Sequence, residues 1–413
     1  MKIALLAFCA AFAPAALMAQ TASTAAARAV TLDEAYRLAL AKSEALAQSA
    51  EGVKELAAAR RRIRAAFLPA LYGEASAVSA EKSAGKGQAG LNLSYDLFSG
   101  MRDYISIRAA GRRTQAAELA LARARQDLYL NTAQAYISLS NVRQELAIRQ
   151  GQLSVWADRI KELQRRESVG RSRKSEVVAA QAQLAQDDSA LQNAKGREDF
   201  ARLELGFLTG LEGELAPELL PVPGHSTREA YQLKAQKRFD VEAARKTLEA
   251  ARFDVDAEKH LRWPSVSAGA NYYFARPAAN KNTDWDATVG LSLPLFTGGF
   301  IGASVDQAEA RARSAEFALA FVVRQALTDV KEAYSLLHHS AATLESLTKA
   351  LALAEENAKM QSRDYTYSLV TNLDVLNAQN TLLQTKLNLE QARAQACLAG
   401  IQLDVAAGGP EAP

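Results

Sequence analysis

The chain has 413 residues, 49% of them hydrophobic, with a formal net charge of +3 and two cysteines. A charge this near to balance leaves no electrostatic footprint for nucleic acid, and no stretch reaches 18 consecutive apolar residues, so a helical membrane span is excluded. No nucleophile–base constellation stands out, and the adjacent His338 and His339 lack ligand-spaced partners, so neither an enzyme nor a metal or cofactor site is expected.

The first residues read as a secretory signal. Lys2 is followed by the apolar run Ile3 to Phe12 and then by small residues, with cleavage expected after Ala19. Removal of 1–19 takes Cys9 with it and leaves Cys397 without a disulfide partner in the mature chain. Thr31-Leu32-Asp33-Glu34 is a capping-box pattern that opens a helix expected to run to about Leu68, where Pro69 stops it. The period then changes from 3.6 to 2. Between 89 and 97 the apolar set Ala89, Leu91, Leu93, Tyr95 and Leu97 alternates with Gly90, Asn92, Ser94 and Asp96. With the weaker alternation over 70–79 this predicts a β-hairpin over 70–98, with a turn near 81–88. Gly85-Lys86-Gly87-Gln88-Ala89-Gly90 spells a G-x-G-x-x-G, but a strand follows it where a dinucleotide site needs a helix, and it is read as a flexible hairpin loop. A proline-free segment over 102–167 comes next. As a helix of about 65 residues it would be roughly 100 Å long, and Ala135, Leu139, Val142, Leu146, Arg149, Leu153, Trp156, Ile160 and Leu163 mark a heptad seam along it. A turn over 168–174 and a returning helix over 175–208 complete the first half, 20–208.

After a Pro/Gly-rich linker, 209–225, the pattern repeats over 226–406. Ser226-Thr227-Arg228-Glu229 opens a helix to about Arg262, and a hairpin over 265–296 follows, with its turn near 277–284. A long helix over 301–366, a turn over 367–371 and a helix over 372–406 come next, and the tail 407–413 is expected to be disordered. In the last helix Leu373, Leu376, Asn380, Leu383, Leu387, Glu390, Ala394, Cys397 and Ile401 keep the seam spacing. The repeat is explicit. Glu34-Ala35-Tyr36 returns as Glu229-Ala230-Tyr231 and Pro69 as Pro264, both 195 positions on. Leu97-Phe98-Ser99-Gly100 returns as Leu295-Phe296-Thr297-Gly298, 198 positions on, so about three extra residues belong to a loop of the second hairpin.

Four strands with one apolar face cannot seal themselves in lipid, where every backbone N–H and C=O needs a partner. Two copies would give eight strands around a filled interior, and three would give twelve around a passage. In that reading the apolar faces meet lipid and Asn92, Asp96, Asn271, Asp286 and Thr288 line water, with Tyr72, Tyr95, Tyr272, Trp263 and Trp285 as interfacial anchors. The competing reading packs the apolar faces on helices in a soluble periplasmic coiled-coil scaffold.

The chain resembles the TolC-like outer-membrane efflux and secretion channels over nearly all of its mature length. The resemblance rests on the tandem repeat, on Pro294-Leu295-Phe296-Thr297-Gly298-Gly299, and on Tyr365 with Leu373-Asp374-Val375-Leu376-Asn377-Ala378-Gln379. It implies a mainly α protomer with a membrane β part, a homotrimer with a twelve-strand outer-membrane barrel on an α-helical periplasmic tunnel, and helix tips engaged by an adaptor and an inner-membrane pump. The cargo is either small molecules or, with the same duct serving type I secretion, proteins. It also implies a periplasmic gate at Tyr365, Asp374, Glu176 and Asn377. Asn377 stands where a second acidic ring is often found, and Val370 where a locking arginine may occur, so a Tyr365–Glu176 contact is the lock left open to this chain. The adaptor-contacting tips would be Val169-Gly170-Arg171 and Ser368-Leu369-Val370, the first made basic by Arg165, Arg166, Arg173 and Lys174. Thr371 and Asp374 also read as a helix cap and its capping-box partner. Arg60, Arg61, Arg62 and Arg64, just before a membrane strand, would meet lipid head groups, charged neighbours in the trimer, or water.

Overall fold

The computed structural model describes residues 28–80, 83–222, 224, 226–276 and 283–409, so the expected signal peptide lies outside the described residues. The elements, in chain order, are β1 (Arg28–Val30), α1 (Leu32–Lys42), α2 (Glu44–Ala65), β2 (Ala70–Ala80), β3 (Ser83–Phe98), α3 (Arg102–Ser168) and α4 (Lys174–Thr209). β4 (Leu215–Pro217), α5 (Arg228–Ala235), α6 (Phe239–Lys259), β5 (Ser265–Ala275), β6 (Trp285–Ser292), α7 (Phe300–Thr366) and α8 (Asn372–Ala406) follow. The repeat is kept at every helix boundary. α2 and α6 begin 195 positions apart, and α3 and α7, both 67 residues long, begin and end 198 apart.

The long helices form because nothing in them stops one. Each begins from left-handed backbone, at Gly100 and Met101 (φ 65° for both) and at Gly298 and Gly299 (φ 60° and 88°), which turns the chain sharply out of the sheet. The first seam is buried as its spacing requires: Ala135, Leu139, Val142, Leu146, Trp156, Ile160 and Leu163 all lie in the core. Arg149, the polar break in it, is held by Glu145 at 2.7 Å.

β2–β3–β5–β6 form one antiparallel sheet in that order, so the two hairpins join edge to edge through β3 and β5. The register carries the two faces across all four strands. Leu71, Leu93, Ala270 and Ala287 share one row, and Gly73, Leu91, Tyr272 and Trp285 the next on the same face. The opposite face carries the row Tyr72, Asn92, Asn271 and Asp286. Asn92 Nδ2 donates to Asn271 Oδ1 at 2.7 Å, and Asn271 Nδ2 donates to Asp286 Oδ1 at 2.8 Å. Tyr72 therefore belongs to the polar face. Bulges at Ala89/Gly90 and Asp96/Phe98 shift the register, so that Phe98, not Leu97, pairs with Val266.

Several expectations are corrected. The first helix breaks at Ser43, whose side chain accepts the Leu46 N–H and caps α2. The second breaks between α5 and α6, and ends in a 3-10 turn over His260–Arg262 before Pro264. Thr227, not Ser226, is the N-cap of α5, and it makes no side-chain capping bond. The G-x-G-x-x-G is not a loop. Gly85 to Gly90 lie within β3, and Gly87 and Gln88 pair with Ala77 and Ser76 of β2. The three extra residues of the second half fall between Ala275 and Trp285, of which 277–282 lie outside the described residues. The tail is ordered through Gly409: Ala407 is buried, and Gln126 Nε2 donates to Gly408 O at 2.9 Å. Leu373, placed on the last seam, is exposed in the single chain.

The linker also carries an element the sequence did not signal. β4 pairs in parallel with β1, and this strap lies on the middle of the helices. Tyr136, fully buried on α3, fastens it: its hydroxyl donates to Val30 O at 2.8 Å and accepts the Glu218 N–H at 2.7 Å. Tyr136→Phe leaves two backbone groups without that partner. It is expected to cost about 1–3 kcal/mol, read as a lower unfolding midpoint together with faster proteolysis within 209–225.

Candidate functional site

The turns α3–α4 and α7–α8 lie side by side at the end of the helices remote from the sheet. Gly170 takes φ 73° in the first, and Ser368 takes φ 59° at the matching place in the second. A left-handed residue bearing a Cβ is strained by about 1–2 kcal/mol, so the second turn is the stiffer choice for this backbone. Behind the turns, Trp156, Ile160, Leu163, Val177, Ala180, Tyr365, Val375 and Leu376 form one apolar cluster, with Val370 packed against it.

Tyr365 is buried within it, and its hydroxyl donates to Glu176 Oε2 at 2.9 Å, the contact the sequence left open. Ser172 also donates to that oxygen, at 2.7 Å. Burial and the Glu176 carboxylate raise the phenol above its ordinary value, so it remains a proton donor across neutral pH. Arg159, only 9% exposed, lies over the ring at 4.0 Å from its centre, and Arg166 lies at 4.8 Å. Arg159 also donates to Asn372 Oδ1 from Nη2 at 2.9 Å and to Glu162 Oε2 from Nη1 at 2.8 Å. One guanidinium thus ties α3 to both α7 and α8. Arg159 and Asn372 were missed by the sequence reading. The signal existed, since Trp156, Arg159, Ile160 and Leu163 follow the i, i+3, i+4, i+7 spacing that puts Arg159 on the buried stripe.

One turn further from the tip is a second polar knot. Trp156 Nε1 donates to Asp187 Oδ2 at 2.5 Å, and Gln183 bridges Asp187 Oδ1 at 3.3 Å and the amide of Asn380 at 3.4 Å.

Asp374 and Asn377 do not join this cluster; both are exposed on the outer side of α8. Asp374 closes a capping box with Thr371, accepting the Thr371 N–H at 2.9 Å and hydroxyl at 2.6 Å. Those bonds hold its carboxyl below the usual carboxylate range. A depressed folded pKa contributes stability above the unfolded value near 3.9, lost as pH falls through the folded value, so the cap persists at neutral pH and loosens only in strong acid. At the first tip Arg166 turns inward to Glu162 at 3.1 Å. Val169, Gly170, Arg171, Arg173 and Lys174 are exposed, as are Ser368 and Leu369, and the three cations form no ion pair among the described residues.

Long hairpins of helix, a sheet with one apolar face and two bare edges, and a polar-lined tip define a channel-forming protomer. The sequence pattern described as outer membrane efflux protein matches residues 35–211 and 230–409. The chain belongs to that family, whose members are channels, and its place is the outer membrane with the helices in the periplasm. It is 24% identical over 331 residues to the outer membrane efflux protein BepC of Brucella suis, covering 78% of this chain and 72% of BepC. It is 25% identical to TolC of Vibrio cholerae, covering 78% and 76%. It is also 23% identical to the alkaline protease secretion protein AprF of Pseudomonas aeruginosa, covering 68% and 62%. Among solved structures, the outer membrane protein VceC of Vibrio cholerae matches with a TM-score of 0.79 at 23% identity, over 92% of this chain and 96% of VceC.

Arg159→Ala is expected to free Tyr365 and Asn372 together. Hydrogen bonds to a charged group are worth about 1.5–3 kcal/mol, so amide exchange over 365–376 should speed by roughly tenfold or more. Unchanged protection there would remove Arg159 from the tip's stability.

Proposed function

We propose that three copies of this chain form a passive export duct, the outer-membrane component of a tripartite efflux system whose energy comes from an inner-membrane pump coupled through a periplasmic adaptor. The observation that carries this reading is the four-stranded sheet with an apolar face and two unpartnered edges: backbone groups at those edges need strands from other copies once the sheet is in lipid. Family membership and the likeness to BepC support efflux of small molecules. The likeness to AprF supports a second reading, the outlet of a type I protein secretion system, for which the same duct suffices. Deletion of the gene followed by a panel of toxic compounds and a survey of secreted proteins separates the two.

In this reading the tip is the gate. Tyr365 bonded to Glu176, and clamped by Arg159, holds α7–α8 against α3–α4, and Asp374 and Asn377 on the exposed side of α8 face the axis. Three Asp374 carboxylates at a narrow opening attract cations and repel anions, an effect that weakens with salt. Asp374→Asn keeps an acceptor for the Thr371 N–H and removes the charge. It is expected to weaken block by multivalent cations in planar bilayers; wild-type block in that variant takes Asp374 out of the opening.

The exposed turns would dock the adaptor. Charge reversal at Arg171, which makes no side-chain bond among the described residues, is expected to reduce adaptor crosslinking while the trimer stays intact. Unchanged crosslinking would leave the basic tip as a solvated turn.

A further inference from the structure

The duplicated chain contains an internal copy of a joint that the single molecule leaves open. Along the helices next to the sheet, the two repeats meet where α3 lies against α6. Three contacts fix that joint: Arg112 Nε to Glu249 at 2.9 Å, the ion pair of Arg113 with Asp254, and Arg108 over the Phe253 ring at 4.4 Å. The repeat offsets carry α3 onto α7 (198 positions) and α6 onto α2 (195 positions), and α7 and α2 are the outermost helices of this layer, as β6 and β2 are the outermost strands. We propose that the joint between repeats is reused between copies, so that α2 of one copy lies against α7 of the next in the register of α6 against α3, with Arg62 facing Asp306 of the neighbouring copy and Glu55 facing its Arg311. The inference rests on the trimer reading above and specifies how its copies meet.

Three observations lead to this register. First, the faces it joins are bare. Ala250 and Ala257 of α6 and Ala109 of α3 are buried, and their counterparts Glu55, Arg62 and Gln307 are exposed. Second, the charges match after the operation although none of the original pairs survives it. Arg108 becomes Asp306 and Phe253 becomes Ala58, with Arg62 one turn from Ala58 toward the sheet. Arg113 becomes Arg311 and Asp254 becomes Ala59, with Glu55 one turn from Ala59 on the other side. Arg62, Glu55, Asp306 and Arg311 form no ion pair among the described residues, whereas their neighbours Lys54 and Glu309 do. The fold itself does not call for arginines here, since Arg60-Arg61-Arg62-Ile63-Arg64 is matched in the second repeat by Val255-Asp256-Ala257-Glu258-Lys259.

Third, the same operation applied to the sheet keeps its faces consistent. The pairs Leu93–Ala270 and Leu91–Tyr272 become Leu291–Ala75 and Val289–Ala77, apolar on apolar, and Ser94–Gly269 becomes Ser292–Glu74 on the polar face. A one-residue slip would put each of these on the wrong side.

The change of charge also discriminates. α7 laid against a foreign α6 would bring Asp306 beside Asp254 and Asp256, and α2 laid against a foreign α3 would bring Arg62 beside Arg108. Like charges oppose both misassemblies.

Paired cysteines test the register. Ala58→Cys with Asp306→Cys, in a Cys397→Ala background and detergent-purified, should give linked dimers and trimers on a denaturing gel after a short bismaleimide, and neither single variant should. A trimer by native mass without linked bands overturns this register and leaves the trimer reading standing; a monomer overturns both. Separately, Arg62→Asp should lower the temperature at which the trimer dissociates, and Arg62→Asp with Asp306→Arg should restore it. Failure of the reversed pair to recover overturns the Arg62–Asp306 contact.

Discussion

The fold depends on the cost of a bare sheet edge in hydrocarbon. β2 and β6 each show a row of backbone N–H and C=O groups that no strand of the same copy can reach, because the sheet order places them at opposite ends. In water such edges are tolerated; in a bilayer each unsatisfied group costs several kcal/mol. The helices inherit the arrangement. α2, α3, α6 and α7 continue the strand order as a curved layer, and the bulges and left-handed glycines at the junctions bend one layer into the other.

Below the junction, stability moves from lateral pairing to coiled-coil packing interrupted by polar knots. Arg238 shows how such a knot is built. It is buried at the start of α6, where it meets Asp240 at 2.6 Å and Asp329 at 2.8 Å and donates to Ala406 O at 3.2 Å. These partners hold its guanidinium firmly charged against the desolvation that works the other way. The Trp156–Asp187 bond and the Arg159–Asn372 pair recur on the same principle nearer the tip. A long apolar seam can slide by a heptad, and a buried polar group that finds its partner in a single register prevents that.

Much of this was legible in the sequence because periodicity and duplication are global signals. The period-2 alternation gave all four strands and their faces, and the absence of proline gave both 67-residue helices to within a residue. The Tyr365–Glu176 contact was open to inference from family pattern and is present. What escaped was local or tertiary. Ser43 breaks a helix through a single side-chain cap, β4 is three residues long and exists through β1 and Tyr136, and Arg159 is buried because three helices converge on it. Leu373 kept the right spacing yet is exposed, since spacing names a face and does not say whether a helix of the same copy covers it.

The equal length of α3 and α7 constrains how this protein can change over evolutionary time. Each added residue would lengthen one rod by 1.5 Å and swing its far turn by 100°. An insertion confined to one repeat would leave three turns of the lower rim standing proud of the other three and facing a different way. Viable length variants must therefore arise as matched changes in both halves, in whole helical turns, so the rim stays level for whatever it abuts.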